Sequence, residues 1–96
     1  TQMPLITVQF YTLWRQYLGV DQVSIEAESL EDALNQIDQR YGAVLKEKLQ
    51  ARGVKVDGKI QDFSMVLLNN TSVRNLKESV LKEGDALRFF PPVMGG

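Results

Sequence analysis

Two glycines, Gly95 and Gly96, occupy the last positions of the sequence, behind Pro91-Pro92-Val93-Met94. Neither carries a Cβ, so the peptide there is as thin as a chain can be and can thread a slot too narrow for any side chain. The two prolines favour an extended, polyproline-like start. Residues 91–96 are therefore expected to form an extended, flexible tail, with a reach of at most about 20 Å. Its chemical payload is the α-carboxylate of Gly96. A carboxylate is ionised at neutral pH and is a poor electrophile, so it must be activated, most economically by adenylation, before anything can attack it. Attack by sulfur yields a thiocarboxylate, a nucleophilic sulfur carried on the chain. Attack by a lysine amine yields a protein conjugate. Both need the bare diglycine, and neither needs cysteine or histidine in this chain.

The rest of the composition points away from a side-chain active site. There is no cysteine and no histidine. That removes thiolate nucleophiles, disulfides, iron–sulfur ligands, an imidazole base and the ordinary zinc site. Gly42, Gly53, Gly58 and Gly84 stand singly, so the sequence holds neither a phosphate-cradling loop nor a dinucleotide fingerprint. Eleven basic residues against twelve acidic ones give a net charge of −1. Nucleic-acid binding requires a surplus of cations to neutralise phosphates, so no nucleic-acid partner is expected. No apolar run approaches a membrane span and no secretion leader is evident, so a cytoplasmic protein without a membrane partner is expected. Met3, behind Thr1-Gln2, is a candidate native start.

Something must hold the tail, and the 96 residues suffice for one domain. Leu5 to Tyr11 alternates, with Ile6, Val8 and Phe10 on one face and Thr7, Gln9 and Tyr11 on the other, as in a strand with one buried face. Val23 to Ala27 repeats the pattern, and Leu13–Gly19 between them reads as a long loop joining an antiparallel hairpin. Ser29 is placed to cap a helix, with Glu31 and Asp32 in its first turn. Leu30, Ala33, Leu34, Ile37 and Tyr41 follow at helical spacing. Gly42 reads as the stop of that helix, and a shorter helical piece runs from Ala43 to Arg52, closed by Gly53. Val54–Ile60 contains Asp57-Gly58 and reads equally as a small hairpin or a turn-rich loop. Met65 to Asn70 is a strand with Val66 and Leu68 inward. Leu76, Val80 and Leu81 suggest a short helical turn beneath the sheet. Gly84-Asp85 turns into a last strand, Ala86 to Phe90, which places Leu87 and Phe89 on one face and Arg88 and Phe90 on the other. Pro91-Pro92 ends that strand, because proline has no N–H to give the ladder. The order strand, strand, helix, strand, strand implies an α+β roll over 1–96, with one main helix on a mixed sheet of four to five strands.

These residues resemble a family. Phe89-Phe90-Pro91-Pro92-Val93-Met94-Gly95-Gly96 is similar to the ending of the MoaD-like sulfur carriers, the small subunits of molybdopterin synthase, which have a ubiquitin-like β-grasp fold. Ile6-Thr7-Val8-Gln9-Phe10-Tyr11 with Arg15 and Gly19 resembles the family's first strand and its Arg-x-x-x-Gly loop. Leu68-Asn69 and Lys82-Glu83-Gly84-Asp85 fall in the family's order, whereas 46–63 looks like an insertion. The resemblance implies a cycle. An E1-like enzyme spends ATP to adenylate Gly96, and a sulfur donor of cysteine desulfurase or rhodanese type converts it to a thiocarboxylate. The tail then enters the large subunit of molybdopterin synthase, where the sulfur passes to a pterin precursor. No bound cofactor or metal is implied. Gly95 is the slender neighbour of the reactive residue. Tyr11 and Phe90 match the apolar positions through which the family docks, together with the tail residues Pro91, Pro92, Val93 and Met94. A third position, usually apolar, is Ser72 here. Arg15 reads either as the partner of another protein's carboxylate or as a solvated loop charge, and Trp14 and Tyr17 read as core or loop packing. Two rival readings stay open: a ubiquitin-like modifier joined to lysines through Gly96, and a β-grasp binding module without carrier chemistry.

Overall fold

A computed structural model describes residues 3–75 and 80–91. β1 (Leu5–Phe10) and β2 (Gln22–Glu26) form an antiparallel pair around α1 (Leu13–Leu18). α2 (Leu30–Ile37) continues through a widened π-helical turn, Asp38–Gly42, into α3 (Ala43–Gln50). A 3-10 turn, Ile60–Asp62, leads to β3 (Met65–Leu68), then to the two-residue β4 (Thr71–Ser72) and finally to β5 (Ala86–Phe90). The five strands lie in the order β2-β1-β5-β3-β4. β1 and β5 run parallel in the middle and the other neighbours are antiparallel. The alternation in each strand turns Ile6, Val8, Phe10, Ile25, Val66, Leu68, Leu87 and Phe89 into one core with Leu30, Ala33, Leu34 and Ile37 of α2. The expected α+β roll is observed, with β4 as its fifth strand.

Local chemistry explains the element ends. The Ser29 hydroxyl accepts from the Asp32 N–H (3.1 Å), and the Asp32 carboxylate accepts from the Glu28 N–H (3.1 Å), so two free amides at the start of α2 are satisfied reciprocally. Gly53 ends the second helical piece in the left-handed region (φ 80°), and the Val54 N–H returns to the Leu49 carbonyl at 2.9 Å. In the last tight turn Gly84 also adopts a positive φ, 87°.

Three expectations need correction. Leu13–Gly19 is a helical turn rather than an open loop. Trp14 is fully buried and its indole N–H donates to the Ser64 hydroxyl at 2.8 Å, while Leu13, Tyr17 and Leu18 pack against the same core. That apolar stripe holds α1 in place, and Gly19 closes it at φ 73°. Gly42 does not stop the helix either. It keeps helical dihedrals (φ −58°) inside the π turn, and a Cβ there would collide with the Asp38 carboxylate. The missing side chain leaves room for Asp38 Oδ1 to accept from the Ile60 N–H at 2.8 Å. That bond ties the 54–63 stretch to the helix. Val80, finally, is 71% exposed rather than tucked under the sheet, whereas Leu81 is buried as expected; Leu76 lies outside the described residues.

The Val54–Ile60 stretch is a turn-rich loop, with no strand and with Gly58 at φ 91°. Residues 46–63 are nevertheless part of the core, because Leu49, Ile60 and Phe63 are buried in it.

Candidate functional site

The described part of the site is the mount of the tail. β5 is the central strand, and Phe90 is its last residue. Because β1 runs parallel to β5, the C-terminal ends of both strands lie at the same end of the sheet. The Tyr11 N–H donates to the Phe89 carbonyl at 3.1 Å, which carries the ladder one step past β1. Tyr11 and Phe90 then stack, with ring centroids 4.5 Å apart and planes 12° from parallel. The Tyr11 hydroxyl donates to Gln9 Oε1 at 2.8 Å, which fixes the ring against the sheet. Both rings are half-buried and lie on the face opposite the helices. This is where alternation along the strands had turned them.

Met65 completes the patch. It pairs in register with Phe90 across the β3–β5 ladder and is 47% exposed. Sequence reasoning missed it, although the inward Val66 and Leu68 already imply that Met65 points outward. What was lacking was the register that sets Met65 beside Phe90. Ser72 instead pairs with Leu67, one row away from the aromatic pair.

Arg15, in α1, lies 3.6 Å from Asp21, with both side chains largely exposed. Such a pair contributes at most about 1 kcal/mol and can open for a partner. Between them and Tyr11 lies a shallow groove of about 170 Å³ bounded by Gln9, Phe10 and Gln22. A larger hollow, about 300 Å³, opens between residues 61–66 and 72–74. Its lining holds no cluster of metal-ligating groups, and none of three or more His, Cys, Asp or Glu occurs among the described residues. Trp14 is core, as expected, and Tyr17 packs beside it with Arg52 over its ring at 5.8 Å. Pro91 follows Phe90 half-buried, and the expected site residues Pro92, Val93, Met94, Gly95 and Gly96 lie outside the described residues. No helix among the described residues is long and apolar enough to cross a membrane.

A five-stranded mixed sheet with central parallel strands, one helix layer and an open face bearing an aromatic patch at the root of the C-terminal segment defines a ubiquitin-like β-grasp protein. Comparison with known proteins carries this to the family. The ThiS family pattern matches residues 8–96. The molybdopterin synthase sulfur carrier subunit of Haemophilus influenzae is 30% identical over 97 residues, spanning 96% of this chain and all of that protein. The chain belongs to the ThiS family and is a sulfur carrier of the MoaD-like type. Among solved structures, subunits 1 and 2 of the Helicobacter pylori molybdopterin-converting factor, solved as a complex, give a match with TM-score 0.59 and 29% identity, covering 96% of this chain and 99% of the other. Small archaeal modifier protein 1 of Methanosarcina acetivorans has the same fold at TM-score 0.70 and 22% identity, with full coverage of both chains.

Proposed function

We propose that this chain carries sulfur for molybdopterin synthesis as a thiocarboxylate on Gly96 and works in the cytoplasm. In the first step an E1-like enzyme joins the Gly96 carboxylate to AMP and releases pyrophosphate from ATP. The terminal sulfur of a persulfide on a desulfurase or rhodanese-type donor then displaces AMP to give an acyl disulfide. A second thiol cleaves that S–S bond, releasing the Gly96 thiocarboxylate and leaving the donor sulfur in a disulfide. In the last step the large subunit of molybdopterin synthase receives the tail, and the sulfur passes to a pterin precursor. The observation that carries this reading is the end-to-end match to a molybdopterin synthase sulfur carrier subunit. The Helicobacter pylori neighbour, solved as a two-subunit complex, supports a two-protein arrangement. The geometry fits: Tyr11, Phe90 and Met65 give a partner an apolar hold immediately before Pro91, so gripping the body also fixes the root of the tail.

Intact-mass spectrometry tests the proposal. The protein is incubated with ATP, the E1-like enzyme of the same organism and a sulfur source. One oxygen exchanged for sulfur is the expected result, and loss of that change on deleting Gly96 assigns it. A ladder of lysine-linked adducts in lysate, with no sulfur gained, would instead give the chain the work of a protein modifier.

A further inference from the structure

The open face of the sheet has a cation in its middle. Arg88 lies on central strand β5, in register with Gln9 of β1 on one side and Leu67 of β3 on the other. It is two residues before Phe90 on the same face, so their Cα atoms are about 7 Å apart along the strand. Its Nη1 reaches Asn70 Oδ1 at 3.3 Å, while Nε is shielded from solvent and has no partner. The single ion pair among the described residues is Arg15–Asp21, so no described carboxylate answers Arg88. Its register neighbours Gln9 and Leu67 carry no charge. Gln9 is occupied with Tyr11 and Gln22, and Asn69 with Asp85 and the Ala86 N–H.

A protein that covers Tyr11, Phe90 and Met65 with a contact of ordinary size also covers Arg88. A guanidinium stays charged at any physiological pH, and stripping its water is costly unless a carboxylate replaces that water. We infer that Arg88 is the charge-reading point of the docking face, and that it receives an Asp or Glu carboxylate set beside the apolar socket of the E1-like adenylating enzyme. The inference rests on the sulfur-carrier reading. The adenylating enzyme is the occupant because activation of the carboxylate comes first in every route open to such a tail. A partner with a lysine, or with plain apolar surface, at that spot would be rejected, so Arg88 selects partners as well as holding them.

The test is ATP–pyrophosphate exchange catalysed by the adenylating enzyme of the same organism, with wild type, Arg88→Ala, Arg88→Glu and Arg88→Lys as substrates. Thermal melts of all four proteins check folding. For Arg88→Ala the KM for the carrier should rise at least about tenfold with kcat unchanged, as expected when one side of a covered charge pair is removed. Arg88→Glu should be worse, and Arg88→Lys should recover most of the loss by keeping the charge. Raising salt from about 0.05 M to about 0.3 M should raise the wild-type KM more than that of Arg88→Ala. Should wild type support exchange while Arg88→Ala and Arg88→Glu match it in KM and salt response, this inference falls and the carrier reading survives. If wild type supports no exchange at all, the carrier reading falls and takes the inference with it. If the Arg88 variants bind the large synthase subunit more weakly by calorimetry yet keep their KM for activation, the assignment to the adenylating enzyme is overturned.

Discussion

Replacing Phe90 with alanine should weaken docking far more than folding, and the structure sets the two magnitudes apart. In the fold Phe90 stacks on Tyr11 at 4.5 Å and touches the outer side of the sheet, while the core behind it is filled by Phe89, which is fully buried. Losing a half-exposed aromatic pair removes about 0.5–1.5 kcal/mol of ring–ring attraction and leaves no internal cavity. At about 1 kcal/mol, a domain of this size should melt about 4–8 °C lower. In a complex the same ring would be an aromatic anchor in a desolvated socket, where truncation costs about 2 kcal/mol or more. That corresponds to about a thirtyfold weaker Kd. Calorimetric titration against the adenylating enzyme and the large synthase subunit, alongside thermal melts, measures both. Tyr11→Ala and the double variant close a thermodynamic cycle. The stacked pair should act as one unit, so the double variant loses less binding than the two single losses added. The reasoning is refuted if the Phe90→Ala melt drops by more than about 10 °C while Kd for both partners stays within about twofold.

Other outcomes follow from single contacts. Trp14→Ala should cost about 3–5 kcal/mol in urea unfolding, because it empties a fully buried site and strands the Ser64 hydroxyl, and Ser64→Ala should cost about 1–3 kcal/mol by orphaning the indole N–H. Gly42→Ala should destabilise by about 1–3 kcal/mol, since its methyl group meets Asp38, and hydrogen exchange at the Ile60 amide should accelerate as the Asp38–Ile60 bond is lost. Gly53→Ala should cost about 1–2 kcal/mol in the same unfolding assay because φ is 80° there and a Cβ disfavours that region, although nothing occupies the space.

Period-2 alternation made the strands legible, because each has one face in the core and a one-residue slip would invert it. The same alternation turns Tyr11 and Phe90 outward. Sequence could not supply the cross-strand register, which depends on how β1, β3 and β5 assemble, and so Met65 and the central position of Arg88 emerged only from the fold. Two of the three misread positions failed for separate reasons. Leu13–Leu18 is short enough to pass for a loop, and its helical form depends on a bond from Trp14 to Ser64, fifty residues along the chain. Gly42 looked like a terminator because glycine usually is one, but here its missing side chain makes room for an acid that clasps a distant loop. Propensity is a local quantity, and both outcomes were decided by tertiary contacts.

The parallel pairing of β1 with β5 has a consequence for any partner. Had these strands been antiparallel, the ends of β1 and β5 would sit at opposite margins of the sheet, and the aromatic grip would be remote from the tail. Parallel register instead brings Tyr11 against Phe90, one residue before Pro91. A partner that seats the two rings has thereby fixed the origin of the tail, and six residues then span at most about 20 Å to the Gly96 carboxylate. On the proposed chemistry at Gly96, its reacting centre must lie within that radius of the aromatic socket. Enzymes as different as an adenylating enzyme and a synthase subunit would share this one constraint, and would therefore compete for the same face. The carrier should bind them in turn, and saturating amounts of one should displace the other in a competition titration. Formation of a ternary complex on a single carrier would show that the two partners use different surfaces and that the ring pair is not their common hold.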